Sequence, residues 1–459
     1  MTGKELVLKA LKNEETPRPA WVPFVGCHGG HLIDRSASEY LKSSDLLVEG
    51  LTKAIERYKP DGLPIAFDLQ IEAEVLGASL NWADDVPPAV TTHPLSDKTL
   101  EELPELTATS GRVPIVLDAL DTMVSRFGDD VLFYGLVCGP FTLALHLMGN
   151  DIFLEMFDDA NRVKRVMDYA ADIAITMSRL YIEHGAGVIA VVDPMTSQVS
   201  PEHFEEFVTP ALNKVFDAIR EQGGLSSIFV CGDVTRNLEL MCATRADNVS
   251  VDEQIDMGKL ASLCKEQKKS FGGNIKLTSV LLLGSEADAR QEVLDIIDAC
   301  GTDQFILSPG CDLPYATPPA NLEAVTRMVH DAYEREIART QTQTTKTDNF
   351  ADITPPDYDS HKEVVIDVIT LDSTSCAPCQ YMMEAVQHAA NDAFVKVFVN
   401  EHKIKSRNGL GMMAKLGVKN LPTICIDGEP VFSSIIPDHK TLLRAIEAHA
   451  IKKNIERVM

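Results

Sequence analysis

Two stretches of the sequence decide the fold, and each is a short apolar run that leads into a cysteine and a glycine turn. They are Ser226-Ser227-Ile228-Phe229-Val230-Cys231-Gly232-Asp233 and Phe305-Ile306-Leu307-Ser308-Pro309-Gly310-Cys311-Asp312. Short apolar runs of this kind are typical of strands buried in a parallel sheet. If both strands belong to one barrel, their carboxyl ends meet at one mouth, where barrel enzymes carry their active sites. The pattern therefore predicts a site that the fold assembles around Cys231 and Cys311.

Strand-like runs recur through residues 1–338 and alternate with helical patterns. The predicted strands cover residues 21–25, 63–67, 131–137, 188–192, 228–231, 248–251, 270–273 and 305–307. Helical patterns over 115–127, 160–183, 204–222 and 321–336 separate most of them, and a capping-box spacing at Thr2 and Glu5 precedes a first helix. Because each right-handed parallel crossover needs a covering helix, this alternation predicts an α/β fold, a (β/α)8 TIM barrel.

The pattern changes after residue 338. The stretch 339–347 is polar and rich in threonine and glutamine, and Pro355 and Pro356 follow it. Such a composition predicts a flexible linker over 339–361. Strand patterns at 364–371, 395–399 and 423–426 then alternate with helical patterns at 410–416 and 439–449. Residues 362–459 are therefore predicted to form a second, smaller α/β domain.

Charge and cysteine usage narrow the function classes. The chain carries 42 Lys+Arg against 68 Asp+Glu, a formal net charge of -26, which repels nucleic acid and anionic membranes. We find neither a leader peptide nor an apolar run of about 18 residues that could cross a bilayer. The expectation is a cytoplasmic protein with no nucleic-acid or membrane partner. Ten cysteines in a chain of this length are expected to be mostly thiols, with the CxxC pair near the end as the exception.

The last domain carries two motifs, Cys376-Ala377-Pro378-Cys379 after its first strand and Gly417-Val418-Lys419-Asn420-Leu421-Pro422-Thr423 further on. With both motifs, residues 362–459 resemble the thioredoxin superfamily. A CxxC at a helix N-terminus places the first sulfur at the positive end of the helix dipole, which lowers its pKa and favours the thiolate. The resemblance implies that Cys376 is the nucleophile, Cys379 the resolving cysteine and Pro422 the cis-proline of the substrate groove. A structural zinc half-site and two plain buried cysteines are the alternatives.

Several short motifs in the barrel region occur in an order that points to a second family. They are Val137-Cys138-Gly139-Pro140-Phe141-Thr142, Asp193-Pro194, Val230-Cys231-Gly232-Asp233, Gly272-Gly273-Asn274 and Leu307-Ser308-Pro309-Gly310-Cys311-Asp312. With these motifs, residues 2–335 resemble the uroporphyrinogen decarboxylase superfamily, within it the zinc-dependent methyltransferases that move methyl groups between corrinoid proteins and thiols. Decarboxylation itself is disfavoured, because that branch uses an arginine-rich loop after its first strand, and here loop 26–31 contains no arginine.

The methyltransferase resemblance implies a zinc ion bound by Cys231 and Cys311. Zinc with an open coordination position lowers the pKa of an incoming thiol, so that the thiol binds as thiolate. Phe229 occupies the position of the branch's histidine ligand and cannot bind metal. His28 or His31 is the candidate replacement; otherwise the metal binds weakly or has been lost. Further candidate donors are Cys27, Asp252 and Glu253.

Other polar residues follow the predicted strands and are expected at the same mouth. Asp68, Asn274, His28 and His31 are candidate substrate-binding residues there, and Pro422 is the corresponding candidate in the last domain. Asp193 leaves a hydrophobic strand directly and is the candidate for acid–base work. Structural roles, such as bonding loop amides or capping helices, are the alternative for several of them.

Three functions remain open at this stage. The first is a methyltransferase that uses zinc, a small thiol and a corrinoid carried by a separate protein, since the chain itself has no corrinoid-binding motif. The second is a metal-free redox or decarboxylase-like barrel serviced by the CxxC domain. The third is a non-catalytic redox sensor. Homo-oligomerisation is left open.

Overall fold

The computed structural model describes residues 1–340, 350, 352–374, 376–418 and 420–453. It divides into two units, Met1–Gln343, here called the barrel unit, and Thr344–Met459, here called the C-terminal unit. Each unit has its own sheet and its own hydrophobic core.

Eight parallel strands form the sheet of the barrel unit. They are β1 Ala20–Trp21, β2 Gly62–Pro64, β3 Leu132–Cys138, β4 Val188–Val192, β5 Leu225–Val230, β6 Asn248–Val251, β7 Ser270–Ile275 and β8 Phe305–Pro309. They pair in sequence from β2 to β8, and β8 then pairs with β1. Between β1 and β2 the Asp61 N–H donates to the Trp21 carbonyl at 2.8 Å, which nearly closes the barrel. The prediction of a (β/α)8 barrel is confirmed.

Helices cover the outside of this barrel. The longer ones are Gly3–Leu11, Ser44–Tyr58, Val113–Phe127, Pro140–Met148, Asp151–Asp158, Ala160–Glu183, Thr209–Glu221, Met257–Glu266, Glu286–Cys300, Pro319–His330 and Ala332–Thr340. Short helices at His28–His31, Ala37–Tyr40, Ile71–Val75, Pro201–His203 and Leu238–Ala243 lie in the connections. The predicted capping box is present, with Thr2 Oγ1 accepting from the Glu5 N–H.

The strand bounds differ from the prediction where proline intervenes. The first strand ends at Trp21 rather than at residue 25, because Pro23 has no N–H to donate to a sheet. Along β5, Leu225, Phe229 and the following Cys231 contact the interior cluster of the barrel, as the two-residue period of a strand requires. The strand thus places Cys231 one step above Phe229, at the mouth.

The C-terminal unit is a four-stranded mixed sheet with helices on both faces. Its strands are β9 Val364–Thr370, β10 Val397–Lys403, β11 Thr423–Ile426 and β12 Glu429–Ser433, in the order β10-β9-β11-β12. Helices Ala377–Asp392 and His439–Lys452 supply residues to one core cluster, and helix Arg407–Lys415 supplies residues to the other. Strand β12 was not predicted, because Pro430 interrupts its pattern; an edge strand tolerates a proline.

The predicted flexible linker over 339–361 needs correction at both ends. Helix Ala332–Thr340 includes its first two residues. Ile353 is buried against the core of the C-terminal unit, and the Tyr358 hydroxyl donates to Asp367 at 2.7 Å. Apolar burial and a buried hydrogen bond therefore fix the end of the stretch to that unit. Residues 341–349 and 351 lie outside the described residues.

Candidate active site at the barrel mouth

Cys231 and Cys311 lie together at the carboxyl ends of β5 and β8. They are joined by a disulfide, here called the barrel pair, with Cα atoms 5.8 Å apart. Both are half-buried and pack on the interior cluster of the barrel. The fold therefore brings together the two cysteines that the strand-end pattern selects.

An apolar floor closes the barrel beneath this pair. Phe229 is 1% exposed, and its ring centroid lies 4.9 Å from that of Phe24 and 6.1 Å from that of Phe67. Aromatic contacts at these distances are favourable beyond the area that they bury. Phe229 is thus a packing residue and supplies no ligand atom to the mouth.

Both ring nitrogens of His28 have hydrogen-bond partners within the protein. Its ring is fully buried, Nδ1 lies 2.9 Å from the Tyr315 carbonyl, and Nε2 lies 2.7 Å from the Tyr58 hydroxyl. Because a carbonyl only accepts, Nδ1 carries the proton and Nε2 accepts from Tyr58. Burial lowers the pKa of His28 to about 4, so the ring is neutral. These contacts favour a structural role for His28 over its predicted roles as metal ligand and substrate contact, which stay predictions.

His31 lies on the next turn of the same short helix and is half-buried. Its ring packs edge-on against Tyr315 with centroids 5.0 Å apart, and it lies 5.8 Å from the ring of His28. These contacts place it in the loop that follows β1. Its predicted roles as replacement ligand or substrate contact stay predictions.

Asp68 closes the second strand segment and is held by fixed partners. Its Oδ1 accepts from the Gln70 N–H at 2.9 Å, and its Oδ2 accepts from Arg112 Nη1 at 2.5 Å. Arg112 also donates to Glu74 at 2.6 Å. Both Asp68 and Arg112 are buried, so the pair organises the long connection between β2 and β3. These contacts favour a structural role for Asp68 over substrate binding.

Glu72 is a buried carboxyl near the mouth that sequence reasoning did not select as a site residue. It is 1% exposed, and its Oε1 accepts from the Cys138 N–H at the end of β3, at 3.0 Å. Burial raises the pKa of Glu72 to about 7. A glutamate one helical turn after Asp68 would suit a solvated helix face, but here the side chain is buried and bonds the end of β3.

Asp193 caps a helix. Its Oδ1 accepts from the Thr142 N–H at 2.8 Å and from the Thr142 hydroxyl at 2.7 Å, while Oδ2 accepts from the Phe141 N–H at 3.1 Å. Burial raises the pKa of Asp193 to about 6, and these hydrogen bonds oppose the rise. A carboxylate so engaged at the N-terminus of helix Pro140–Met148 is typical of a structural cap, which disfavours the predicted acid–base role.

Asn274 holds the loop that follows β6. Its amide nitrogen donates to the Asp252 carbonyl at 2.9 Å and to the Ile255 carbonyl at 2.8 Å, and the side chain is buried. In that loop, the Asp252 carboxyl accepts from the Gly232 N–H, directly after Cys231. These contacts favour a structural role for Asn274 over its predicted role in substrate binding, which stays a prediction.

Glu253 lies beside the other half of the barrel pair. A Cβ placed on Gly310 would come within 2.6 Å of the Glu253 nitrogen, and Gly310 directly precedes Cys311. The Glu253 carboxyl accepts from the Leu277 N–H at 2.5 Å. Burial raises the pKa of Glu253 to about 8 and that of Asp252 to about 6. One loop thus contacts both cysteine turns.

The donor set does not fit a zinc ion in this form of the protein. Zinc in proteins takes three or four donors, with cysteine bound as thiolate. The two sulfurs of the barrel pair are bonded to each other, so neither is a thiolate. In the part of the chain that the structure describes, no three His, Cys, Asp or Glu residues form a group that could hold a metal ion.

The C-terminal unit carries a second disulfide, Cys376–Cys379, here called the helix pair. Cys376 is the N-cap of helix Ala377–Asp392, and its sulfur accepts from the Cys379 N–H at 3.4 Å. Cys376 is half-buried and Cys379 is buried. The peptide bond from Leu421 to Pro422 is cis, as the resemblance implies. The predicted placement of the CxxC at a helix start is confirmed.

The fold defines a class of protein, a parallel (β/α)8 barrel, and this one carries a cysteine pair at the carboxyl ends of its strands. The chain belongs to the uroporphyrinogen decarboxylase family, which it matches over residues 2–332. The N-terminal resemblance is thereby confirmed. Within the described ranges, none of the helices combines the length and the apolar character that a membrane span needs.

Relatives of two kinds are similar to the chain. A methylcobamide:CoM methyltransferase of Methanosarcina mazei is 29% identical over 332 residues, which cover 70% of this chain and 96% of the relative. A uroporphyrinogen decarboxylase of Nostoc punctiforme is 25% identical over 286 residues, 61% of this chain and 80% of the relative. A solved structure, a methyltransferase from Methanosarcina mazei, aligns with a TM-score of 0.66 at 23% identity, over 73% of this chain and 99% of that one, and shares the fold.

Proposed function

We propose that the barrel unit transfers a methyl group between a corrinoid carried by a separate protein and a small thiol. The similarity to methylcobamide:CoM methyltransferases over nearly their whole length supports this function. Uroporphyrinogen decarboxylases are similar too, so the choice between methyl transfer and decarboxylation depends on a feature of the site. The convergence of Cys231 and Cys311 at the mouth favours methyl transfer over decarboxylation, because cysteine side chains suit a reaction whose acceptor is a thiol.

Two further features agree with this choice. Loop 26–31, which follows the first strand segment, contains no arginine that could bind the carboxylates of a porphyrinogen. The phenylalanine floor beneath the barrel pair offers an apolar surface for a methyl group and keeps water out of the barrel from below. Cys231 and Cys311 would then act at the mouth of the barrel, above this floor, where both are half-buried and still reachable from solution.

Zinc remains a prediction for the reduced protein. The two sulfurs would supply two ligands once the disulfide is opened, and the histidine expected at position 229 is absent. Metal analysis of protein purified under reducing conditions without chelator tests it. About one zinc per chain, lost in Cys231→Ser and Cys311→Ser, supports the prediction, and a metal content near zero contradicts it.

We also propose that the C-terminal unit is a thioredoxin-like thiol–disulfide exchange module. Its support is the helix pair at the start of helix Ala377–Asp392 and the cis-proline loop that accompanies it. At that helix end, the dipole favours a thiolate at Cys376, which makes it the attacking sulfur, with Cys379 resolving the mixed disulfide.

The methyl-transfer proposal is tested with free methylcobalamin as donor and coenzyme M as acceptor, using reduced full-length protein. We expect demethylation of the cobalamin that depends on the thiol and falls by roughly 100-fold or more in Cys231→Ser and in Cys311→Ser. Cys300→Ser is the matched control, because Cys300 is buried on an outer helix. Decarboxylation of uroporphyrinogen without methyl transfer, or unchanged transfer in both serine variants, would overturn the proposal.

A further inference from the structure

Exposure distinguishes three cysteines of the described residues from the other seven. Six of those seven are buried and belong to no disulfide, Cys27, Cys138, Cys242, Cys264, Cys300 and Cys425, and the seventh is the buried Cys379 of the helix pair. The half-buried ones are Cys231, Cys311 and Cys376, and each of these three belongs to a disulfide. A reagent in solution therefore reaches the two disulfides before it reaches the free thiols.

The barrel pair lies where the proposed methyl transfer needs thiol chemistry. A sulfur in a disulfide carries neither a proton nor a lone thiolate charge, so it can neither activate a thiol nor bind a metal as thiolate. With the disulfide closed, the mouth over Phe229 has lost the function that its two cysteines would supply. Opening the bond changes no strand, since both cysteines follow the ends of their strands.

We propose that the Cys231–Cys311 disulfide is a reversible redox gate on the barrel site, closed when oxidised and opened by dithiol exchange with Cys376 and Cys379. The inference rests on the proposed methyl transfer. In this proposal the oxidised barrel site is the inactive resting state. The substrate of the C-terminal unit is the Cys231–Cys311 disulfide of this protein. The stepwise exchange follows the ordinary chemistry of thiols and disulfides.

The exchange balances as follows. An external dithiol reductant first reduces Cys376–Cys379 and leaves as its own disulfide, having given up two electrons and two protons. The Cys376 thiolate then attacks one sulfur of the barrel pair, which breaks that S–S bond, forms a mixed disulfide and releases the other barrel sulfur as thiolate. The Cys379 thiolate attacks the Cys376 sulfur, restores the helix pair and releases the second barrel thiol.

The positions of the two helix-pair sulfurs suit this order of events. Cys376 is half-buried, and it lies at the positive end of the helix dipole, which favours its thiolate. Cys379 is buried one turn behind it, with Cα atoms 5.2 Å apart, so it meets only the sulfur of Cys376. The accessible cysteine attacks, and the buried one resolves.

The test uses oxidised full-length protein and a limiting amount of dithiothreitol, with thiols alkylated at intervals and the peptides of Cys231 and Cys311 quantified by mass spectrometry. We expect the barrel pair to open roughly tenfold or more slowly in Cys376→Ser than in the wild-type chain, because the variant loses thiol exchange through the helix pair. Cys379→Ser should accumulate Cys376 linked to a barrel cysteine. Cys300→Ser should behave as wild type.

Methyl transfer measured on the same samples separates this inference from the proposed function. Transfer that rises as the barrel pair opens supports both. If methyl transfer is full while the peptides show an intact Cys231–Cys311 bond, the gate is overturned and the proposed function stands. If the pair opens through Cys376 but the reduced protein transfers no methyl group, the proposed function fails. Equal opening in wild type and Cys376→Ser, with no Cys376-linked barrel peptide, overturns the exchange.

Discussion

The two disulfides of this chain are built in opposite ways. Cys376 and Cys379 are 3 positions apart, and one turn of one helix brings them together. Cys231 and Cys311 are 80 positions apart, and only the barrel brings the ends of β5 and β8 within reach. The helix pair thus depends on local helix geometry, whereas the barrel pair can form only when the barrel is folded. Changes in the barrel should therefore affect one pair and leave the other unchanged.

The largest effect is expected for Phe229→His. It places an imidazole in the cluster formed with Phe24 and Phe67, which should cost about 3 to 4 kcal/mol of unfolding free energy. Phe229→Leu is the matched control and should cost about 1 kcal/mol. Urea unfolding measures both. Disulfide formation at Cys231 should suffer in Phe229→His, while the helix pair re-forms normally.

The same variant sharpens the metal prediction. If the position is a vacant ligand site of the reduced protein, Phe229→His should bind more zinc than the wild type despite its lower stability. If His28→Ala or His31→Ala loses zinc instead, the substituted histidine is the ligand that replaces the one expected at position 229. Unchanged zinc content in all three would mean that position 229 plays no part.

Acid should weaken the barrel unit through His28. Its folded pKa of about 4 lies below the unfolded value of 6.5, so its contribution to stability is complete above pH 6.5 and is lost as the pH falls towards 4. The loss at pH 4.5 amounts to about 2 to 3 kcal/mol. His28→Asn should be less stable at pH 7.5 but show a shallower decline in urea unfolding between pH 7.5 and 4.5. Parallel profiles for variant and wild type would contradict the assignment.

A smaller effect is expected where the barrel pair meets the loop after β6. Gly310→Ala puts a Cβ within 2.6 Å of the Glu253 nitrogen, which is backbone and cannot rotate away. We expect a loss of about 1 to 3 kcal/mol and slower closure of the Cys231–Cys311 disulfide. Gly258→Ala, in helix Met257–Glu266, brings a Cβ to 3.2 Å from Asp256 Oδ1, a side-chain atom that can shift, so we expect a smaller effect than for Gly310→Ala. Equal behaviour of the two alanine variants would show that the close approach is unimportant.

The smallest effect belongs to the C-terminal unit and should leave the barrel pair unchanged. Tyr358→Phe removes the hydroxyl that donates to Asp367 at 2.7 Å, while His402 and Asn400 still contact that carboxylate. The expected cost is about 1 kcal/mol, seen as a lower melting temperature of this unit. The barrel pair should open and close as in the wild type. A change in how readily the barrel pair forms would contradict the expectation that each disulfide depends on the fold of its own unit.

The sequence predicts well what is set by nearby residues. Helix Ala160–Glu183 and strands β4, β6 and β11 have the predicted bounds, and the capping box at Thr2 is present. Apolar periodicity and caps act over a few residues, so a single sequence contains them. The CxxC at the start of helix Ala377–Asp392 was predictable for the same reason.

The site was harder to predict, because distant partners decide the role of each residue. The partners of His28, Tyr58 and Tyr315, follow it by 30 and 287 positions and use both of its ring nitrogens. Asp193 caps a helix that begins 53 positions earlier, at Pro140, and Glu72 reaches the end of β3. Strand-end placement locates such residues at the mouth but does not tell a ligand from a cap. The convergence of Cys231 and Cys311 could be predicted, since both follow strands of one sheet, but the expectation that they are thiols was wrong, because the structure joins them in a disulfide.

The presence of both units in one chain determines the ratio in which the cell makes them. A barrel enzyme that relies on a free reductase must share it with other clients, and the ratio of the two varies with their separate synthesis and turnover. Here Met1–Gln343 and Thr344–Met459 are translated as one polypeptide, so the two units are made in a fixed ratio of one to one. Raising or lowering expression of the gene leaves that ratio unchanged.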